Sequence, residues 1–370
     1  MVAFISPFSE SGAATNRALY LSSSFPSRLI ILPKNDKYGA SSDKDFFYFP
    51  IVNKSFLKLP LWWVKTTLKL LDYRPDVVVF LKASLFTVVP AFAYKLLTGR
   101  PIIFDCDEWD AATLKDNGES QLKVWLTDYL ARFSIEHSDL IIYCNTLVRS
   151  EKIPLLDHPK LVYIPNGVDT KQFNPTKTKH KGFNVMFVGM LHKIQHLKFL
   201  IDAIDNLRDT DVYCTIIGDG PKRNEFESII DERGLTFKFN FVGHIPHEIL
   251  PAAMSTADVF VLPFEEMDGI RYQCNIKLFE YMASGKPIIA TNVGDIAKIL
   301  GYGDYGCIVS STKISSAIIE CRSGCRTMVN KARKEAVDKY DWKILSNILR
   351  QHVIMLNEEK YVNDNYGVLS

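Results

Sequence analysis

The segment Asn275–Thr291 carries two charged side chains whose types and spacing suit ligand chemistry. Lys277 and Glu280 are three residues apart, so on a helix both project from the same face. Gly285 suits the left-handed position that ends a helix, and the apolar run after it is typical of a buried strand. At the mouth of a parallel sheet, such a lysine would meet a phosphate and such a carboxylate would accept hydrogen bonds from sugar hydroxyls. The alternative is an exposed ion pair on a helix surface.

Glycines follow three predicted strands upstream of this helix. The positions concerned are Gly189 with Lys193 nearby, Gly218 and Gly220, and Gly243 with His244. Glycine lets a ligand approach the backbone closely, although each turn alone is also an ordinary connection between a strand and a helix. Because the carboxyl ends of parallel strands meet at one edge of a sheet, we expect these turns and the Lys277–Glu280 helix to form one ligand site.

Four carboxylates follow a predicted strand in the amino-terminal half, within the segment Asp105–Asp110. They suit a general base, an acceptor for a sugar hydroxyl or a divalent-metal site. The alternative is an exposed acidic loop that caps the next helix. Gly12, in a small-residue loop after the first strand, is a further position that admits a ligand.

Short apolar runs alternate with helical patterns along the whole chain, which predicts α/β architecture with parallel, doubly wound sheets. The lysine-rich stretch 176–182 interrupts this pattern, which then restarts. We therefore expect two Rossmann-like domains, at residues 1–175 and 176–340, joined by a linker. Residues 341–370 are predicted to form terminal helices.

Composition excludes several classes of protein. The chain has 370 residues and a net charge of +2, which argues against a nucleic-acid partner. Its seven cysteines are odd in number and lack zinc-like spacing, so reduced thiols in a cytoplasmic protein are expected. Cys321 and Cys325 fit one helix face, but two thiols alone make a poor metal site. Apolar stretches stay shorter than the ~18 residues of a spanning helix.

Six segments occur together in a characteristic order: IPNGVDTKQFNP at 164–175, VMFVGMLHK at 185–193, IIGDGPKRNEFE at 216–227, FVGHIPHEIL at 241–250, STADVFVLPF at 255–264 and IKLFEYMASGKPIIAT at 276–291. Their combination resembles the glycosyltransferases of family 4. The resemblance implies the GT-B fold, in which an acceptor-side and a nucleotide-sugar-side domain face each other across a cleft. It also implies that the C-terminal helices cross back to the N-terminal domain, and that transfer is retaining and needs neither a metal ion nor a cofactor.

The resemblance assigns roles to residues that match the family motifs. Glu280 matches the glutamate that binds the nucleotide ribose, and the helix start at Asn275, Ile276 and Lys277 matches the backbone amides that face the diphosphate. Gly218 and Gly220 match the donor-side turn. Gly12 matches the loop that closes over the donor phosphates.

Several positions depart from the family pattern. Tyr272 stands where a second glutamate is usual, and Met190 and Gln195 replace an arginine and a lysine that neutralise the leaving diphosphate. Lys193, Arg271 and Lys277 are the candidate substitutes. Asp107 takes the place of a histidine that contacts the donor sugar.

From this resemblance we expect a retaining enzyme that moves a hexose from a nucleotide diphosphate sugar to a glycan or a lipid-linked acceptor, with Lys277, Glu280 and Asp107 as catalytic residues. The alternative is a nucleotide-sugar-binding homologue with weak or no catalysis. The segment Phe56–Leu71 combines tryptophans and leucines with lysines, which suits either peripheral contact with an anionic membrane or a helix packed in the first domain. The expected location is the cytoplasm, and peripheral contact through Phe56–Leu71 would place the protein at the inner face of the membrane.

Overall fold

The computed structural model describes residues 1–7, 13–34, 46–50, 59–153, 161–176, 178, 180–192 and 197–366. The chain divides into two compact units. One contains Met1–Asn166 together with Trp342–Ser370, and the other contains Gly167–Asp341. Each unit is built on its own parallel sheet, as the alternation of strands and helices predicts.

The described residues of the first unit form seven strands: β1 (Val2–Ile5), β2 (Arg28–Lys34), β3 (Phe46–Pro50), β4 (Val77–Leu81), β5 (Ile102–Cys106), β6 (Leu140–Tyr143) and β7 (Leu161–Tyr163). Their order in space is β3-β2-β1-β4-β5-β6-β7, and every neighbouring pair is parallel. The central strands are wholly apolar and buried, because a sheet with helices on both faces exposes neither side. The sequence analysis did not predict β3.

The helices of the first unit are α1 (Ala13–Ser22), α2 (Leu59–Tyr73), α3 (Leu85–Thr98), α4 (Asp110–Asp116), α5 (Gln121–His137) and the C-terminal α14 (Trp342–Tyr366). The ring of Trp342 stacks on Tyr20 of α1 with centroids 5.1 Å apart. The hydroxyls of Ser346 and Ser24 lie 2.6 Å apart. These contacts confirm that the C-terminal helix returns to the N-terminal domain.

In the part of the second unit that the structure describes there are six strands: β8 (Phe183–Val188), β9 (Val212–Ile217), β10 (Phe239–Gly243), β11 (Val259–Leu262), β12 (Ile288–Thr291) and β13 (Cys307–Val309). Their order is β10-β9-β8-β11-β12-β13, again all parallel. The order reverses between β8 and β11, and ligands of such sheets bind beyond the carboxyl ends of the strands near that point.

The helices of the second unit are α6 (Lys198–Asp205), α7 (Arg223–Glu232), α8 (Leu250–Met254), α9 (Asp268–Arg271), α10 (Ile276–Ser284), α11 (Ile296–Ile299), α12 (Ile314–Ser323) and α13 (Arg326–Lys339). Of these, α10 is the helix that the Lys277–Glu280 spacing predicts.

The passage from the first unit to the second lies at residue 166, earlier than the boundary at residue 175 that the sequence suggested. The intervening residues pack on the end of the second unit. The Val168 amide donates to Tyr340 O at 2.9 Å, and the Arg333 guanidinium donates to Phe173 O at 2.8 Å. The stretch taken as a linker also belongs to this unit, since the Thr178 hydroxyl lies 2.6 Å from that of Ser255.

Helix α2 covers the part of the segment Phe56–Leu71 that the structure describes. One face packs on α3, where Trp62 Nε1 donates to Phe86 O at 2.8 Å and Trp63 Nε1 donates to Leu85 O at 2.7 Å. The opposite face leaves Leu61, Val64 and Leu68 exposed. Across the described residues, every helix is too short or too polar to cross a membrane.

Candidate active site

Helix α10 begins and ends where the sequence predicts. Asn275 caps its start, with Oδ1 accepting from the Lys277 amide at 3.0 Å. Gly285 ends it in the left-handed conformation, with φ of 64°. The apolar face buries Leu278 and Tyr281 completely, which fixes the rotation of the helix and the direction of its charged face.

Glu280 lies at the centre of a buried ionic contact on α10. Its carboxylate is only 2% exposed, and it accepts from Lys277 Nζ at 2.9 Å and from His247 Nε2 at 3.0 Å. Burial by itself raises the pKa of Glu280. The charge of Lys277 and the hydrogen bonds from both partners outweigh burial, so the net pKa lies below the ordinary value of 4.5. The structure thus holds an ionised carboxylate where the sequence left open an exposed surface pair.

Tyr281 ties this helix to the carboxyl end of β8. Its hydroxyl accepts from the Val188 amide at 2.8 Å, and its ring stacks on Phe260 with centroids 4.1 Å apart. The next residue after β8 is Gly189, the first of the predicted glycine turns. The hydrogen bond therefore sets the distance between the Lys277–Glu280 face and the glycine turns.

The glycine turns after β8 and β9 pack directly on each other. A Cβ on Gly218, where φ is 137°, would lie 1.9 Å from Gly189 O, and one on Gly220 would lie 2.3 Å from Leu191 O. The Leu191 amide donates to Asp219 O at 2.9 Å. These glycines are needed for contact between two backbone turns. The sequence analysis had assigned that close approach to a ligand.

The third turn joins the same edge, because the Gly218 amide donates to Gly243 O at 2.8 Å. His244, the predicted ligand contact in this turn, is exposed. The histidine that contacts Glu280 is instead His247, three residues further on, whose ring also packs on Phe173 at 5.4 Å. The sequence analysis missed His247, although it lies within the FVGHIPHEIL motif.

The positions that depart from the family pattern differ in exposure. Met190 is 60% exposed beyond the end of β8, while Tyr272, at the end of α9, is buried. Arg271 is partly exposed, and its Nη1 lies 4.0 Å from Glu266 Oε1. Asn275 and Ile276 occupy the start of α10. Gly12, Lys193 and Gln195 lie outside the described residues, so their predicted roles stay predictions.

In the first unit, a buried lysine gathers the carboxylates that follow β5. Lys82 Nζ lies 3.3 Å from Asp107 Oδ1 and 2.8 Å from Asp110 Oδ1, and it also donates to Glu108. Lys82 follows β4 directly and has a φ of 61°, which is strained for a residue with a side chain. The acidic segment is therefore a buried cluster and does not form the exposed loop that was the alternative.

The carboxylates of this cluster have unequal acidities. Burial raises the pKa of Asp107 to about 6, although Lys82 opposes the shift. Burial likewise raises the pKa of Asp110 to about 7. For Glu108 the attraction of Lys82 outweighs burial, and the pKa is lowered. Buried Asp107 Oδ1 accepts no hydrogen bond from any described residue. Burial thus brings the pKa of Asp107 closer to neutrality, and its Oδ1 lies in an ion pair with Lys82 Nζ at 3.3 Å.

Asp105 is set apart from this cluster by Arg17. The guanidinium of Arg17, buried on α1, donates to both carboxylate oxygens of Asp105 at 2.8 and 3.0 Å. It also donates to Ile164 O at 2.8 Å and to Pro165 O at 3.0 Å. Arg17 joins α1 to the ends of β5 and β7, so Asp105 has a structural role. The sequence analysis missed both Arg17 and Lys82, because their partners are distant in the chain.

Comparison with known families agrees with these features. Residues 32–172 match the model described as Glycosyltransferase Family 4, and residues 182–323 match the model described as Glycosyl transferases group 1. The chain belongs to the family 4 glycosyltransferases. The first match runs from the first unit to residue 172, just inside the second unit, and the other match lies within the second unit, so the family assignment involves both domains.

Among curated family relatives, the chain is 32% identical over 119 residues to the 2-deoxystreptamine glucosyltransferase of Streptomyces kanamyceticus. That match covers 31% of this chain and 29% of the relative. The chain spans only about a third of the length of the first curated relatives it matches.

Solved structures show the fold of this family 4 chain. Sucrose-phosphate synthase from Thermosynechococcus elongatus superposes with a TM-score of 0.76 at 15% identity, covering 97% of this chain and 99% of that one. Anabaena HepE in complex with UDP-glucose also gives 0.76, at 17% identity, covering 96% and 100%. The chain therefore has the GT-B fold with two α/β domains.

Proposed function

We propose that this chain is a retaining glycosyltransferase that moves a hexose from a nucleotide diphosphate sugar to a glycan or lipid-linked acceptor, without a metal ion. The observation that carries the proposal is the first turn of α10, where Lys277 lies beside the buried, ionised Glu280. Such a turn combines a cation, the positive end of a helix and a buried carboxylate at the carboxyl edge of a parallel sheet.

These groups suit the two ends of a nucleotide diphosphate. Breaking the anomeric bond leaves negative charge on the diphosphate, which Lys277 and the helix start stabilise electrostatically. Glu280 accepts hydrogen bonds from the ribose hydroxyls, and His247 and Lys277 hold its carboxylate in the charged form. The single N–H of the Lys277 amide donates to Asn275 Oδ1, whereas the Nζ has three N–H donors, of which one is used by Glu280 Oε2, so the Nζ is the group on this residue proposed to bind a phosphate.

Asp107 supplies the complementary acceptor in the proposal. Its carboxylate, which Lys82 Nζ holds at 3.3 Å after β5, supports a role in orienting the transferred sugar or the incoming acceptor. Lys82 Nζ lies among the carboxylates where a divalent cation would need to bind, which supports transfer without a metal. The leaving diphosphate then serves as the proton acceptor for the attacking hydroxyl.

The test starts with the donor. Thermal unfolding of the purified protein is measured with a panel of UDP-, GDP- and ADP-sugars, because a ligand of the folded state raises its stability by mass action. UDP-glucose is the first probe, since HepE is described in complex with it. Product linkage is then determined by NMR. An inverted anomeric configuration, or activity that chelators abolish, would contradict the corresponding part of the proposal.

A nucleotide-sugar-binding homologue without turnover is the second candidate. It is favoured by Tyr272, which buries an aromatic ring where the family has a carboxylate, and by Met190, which exposes a thioether where the family has an arginine. Donor binding without transfer to any acceptor in a broad panel would favour this candidate. If so, Met190→Arg with Tyr272→Glu is expected to restore turnover.

We further propose that the first unit meets an anionic membrane through α2 from the cytoplasmic side. The support is the exposed row of Leu61, Val64 and Leu68, with Lys65 exposed on the same helix. Co-sedimentation with vesicles containing phosphatidylglycerol tests this, using Leu61→Ser/Val64→Ser/Leu68→Ser as the variant. Equal binding of this variant and the unaltered protein would show that α2 is not the contact.

A further inference from the structure

Three thiol side chains from separate parts of the second unit meet at one place. Cys307 lies in β13, Cys321 lies in α12, and Cys325 lies in the turn before α13. Their sulfur atoms all lie within 4.8 Å of one another, and Cys307 Sγ is 3.8 Å from Cys321 Sγ. The sequence pointed only to Cys321 and Cys325, and packing of the edge strand adds the third thiol.

The local backbone holds this arrangement. Helix α12 ends at Ser323, and Gly324, with φ of 128°, reverses the chain so that Cys325 turns back toward Cys321. The Gly324 amide donates to Cys321 O at 3.3 Å, and the Val329 amide donates to Cys325 O at 3.0 Å as α13 begins. A strand, a helix and a capped turn therefore each hold one sulfur in place. Because the sulfurs are already positioned, binding a ligand costs little conformational entropy.

The spacing of the sulfurs suits a shared metal ion. With metal–sulfur bonds of about 2.3 Å in tetrahedral geometry, two sulfurs lie about 3.8 Å apart. A disulfide instead requires about 2.05 Å. Cys321 is buried whereas Cys307 and Cys325 are half-buried, so one side of the cluster is open to a water molecule or another fourth ligand.

We propose that Cys307, Cys321 and Cys325 form a binding site for one thiophilic closed-shell ion, Zn²⁺ or Cu⁺. Thiolates select these soft ions over magnesium or calcium. The bound ion would tie the edge strand β13 to the α12–α13 turn and so stabilise this corner of the second unit. The site is separate from the residues assigned to sugar transfer, and its test does not require transfer activity.

The test uses the full chain, reduced and stripped of metal under anaerobic conditions. Zn²⁺ is titrated against a chromophoric chelator, Cu⁺ against a cuprous-specific chelator, and Co²⁺ serves as a spectroscopic probe of thiolate ligation. We expect one ion per chain, thiolate-to-cobalt charge-transfer absorption and a higher midpoint of thermal unfolding with the preferred ion. The ion with the lower dissociation constant in these two titrations is the one that the site prefers.

Variants locate the site. Because loss of a residue outside the ligand shell already weakens metal binding by roughly 10–100-fold, Cys325→Ser and Cys307→Ser are each expected to weaken it at least that much. Cys214→Ala removes a buried thiol elsewhere in the second unit and should leave binding unchanged. Unchanged binding in Cys325→Ser would overturn the proposal. So would a reduced, metal-free protein that binds neither Zn²⁺ nor Cu⁺.

Discussion

Replacing Lys277 by alanine is the sharpest test of the donor site. The side chain lies in the first turn of α10, and its Nζ is 2.9 Å from Glu280 Oε2. Its position makes it the cation best placed on this helix to meet a leaving diphosphate, and Met190 and Gln195 stand where the family pattern has an arginine and a lysine. Lys277→Ala removes that charge and leaves the backbone of the helix start unchanged.

Two effects of the substitution must be separated. Removing one preorganised group that stabilises transition-state charge lowers kcat by about 10²–10³-fold, or about 2.7–4 kcal/mol. Lys277 is also one of two partners of a carboxylate that is 2% exposed. Loss of a hydrogen bond to a charged group costs about 1.5–3 kcal/mol of folding stability, and the partial exposure of Lys277 places the effect toward the lower end.

The assay follows release of the nucleotide diphosphate at steady state, with the free energy of unfolding measured in denaturant. Lys277→Arg keeps the charge and should retain more activity than Lys277→Ala. Lys331→Ala removes an exposed lysine paired with Asp304 and serves as the control. In Lys277→Ala/Glu280→Gln the buried charge is gone as well, so stability should recover while transfer stays slow. A Lys277→Ala kcat within about threefold of the unaltered enzyme, about 0.7 kcal/mol, would refute the assignment.

Three further predictions concern other residues. The rate of transfer should decline as the pH falls through about 6, because Asp107 then gains a proton. Asp107→Asn should transfer sugar slowly, and its kcat/KM should vary less with pH. If kcat/KM of this variant has the same pH dependence as that of the unaltered enzyme, the role of Asp107 is contradicted. Folding lowers the pKa of Glu280, so its contribution to the free energy of unfolding is complete above about pH 4.5 and is lost as the pH falls further. In Glu280→Gln, the free energy of unfolding measured in denaturant should therefore decrease less at acidic pH. Gly218→Ala should destabilise the fold by more than about 3 kcal/mol, since its Cβ meets backbone at 1.9 Å. Gly234→Ala, also at positive φ but facing open space, should cost only about 1–2 kcal/mol in the same unfolding measurement.

Much of the fold could be predicted from local pattern. Strands buried on both faces, such as β4 and β11, appear in the sequence as short apolar runs, and α10 is bounded by a capping Asn275 and a left-handed Gly285. The sequence analysis gave no bounds for helix α4, although its alternative had the acidic segment cap the next helix. Its first residue, Asp110, is stabilised by Lys82, a contact over 28 positions that no local pattern records.

Part of the candidate site could also be predicted from the sequence, and the rest required the tertiary structure. The spacing of Lys277 and Glu280 is a property of one helix, so the sequence alone determined that the two side chains share a face. The family motifs likewise lie in continuous segments, so the order of residues along the chain is enough to identify a family 4 glycosyltransferase.

Only the tertiary structure decided what each of these groups does. Packing buries Glu280 and brings His247 to it, which converts a surface pair into an ionised, held carboxylate. It places Lys82 among the carboxylates after β5 and separates Asp105 with Arg17. It also shows that Gly218 serves the contact between two backbone turns. The physical reason is common to all three: burial and partners from distant segments set charge, pKa and space, and neither can be read from residues that are neighbours in the chain.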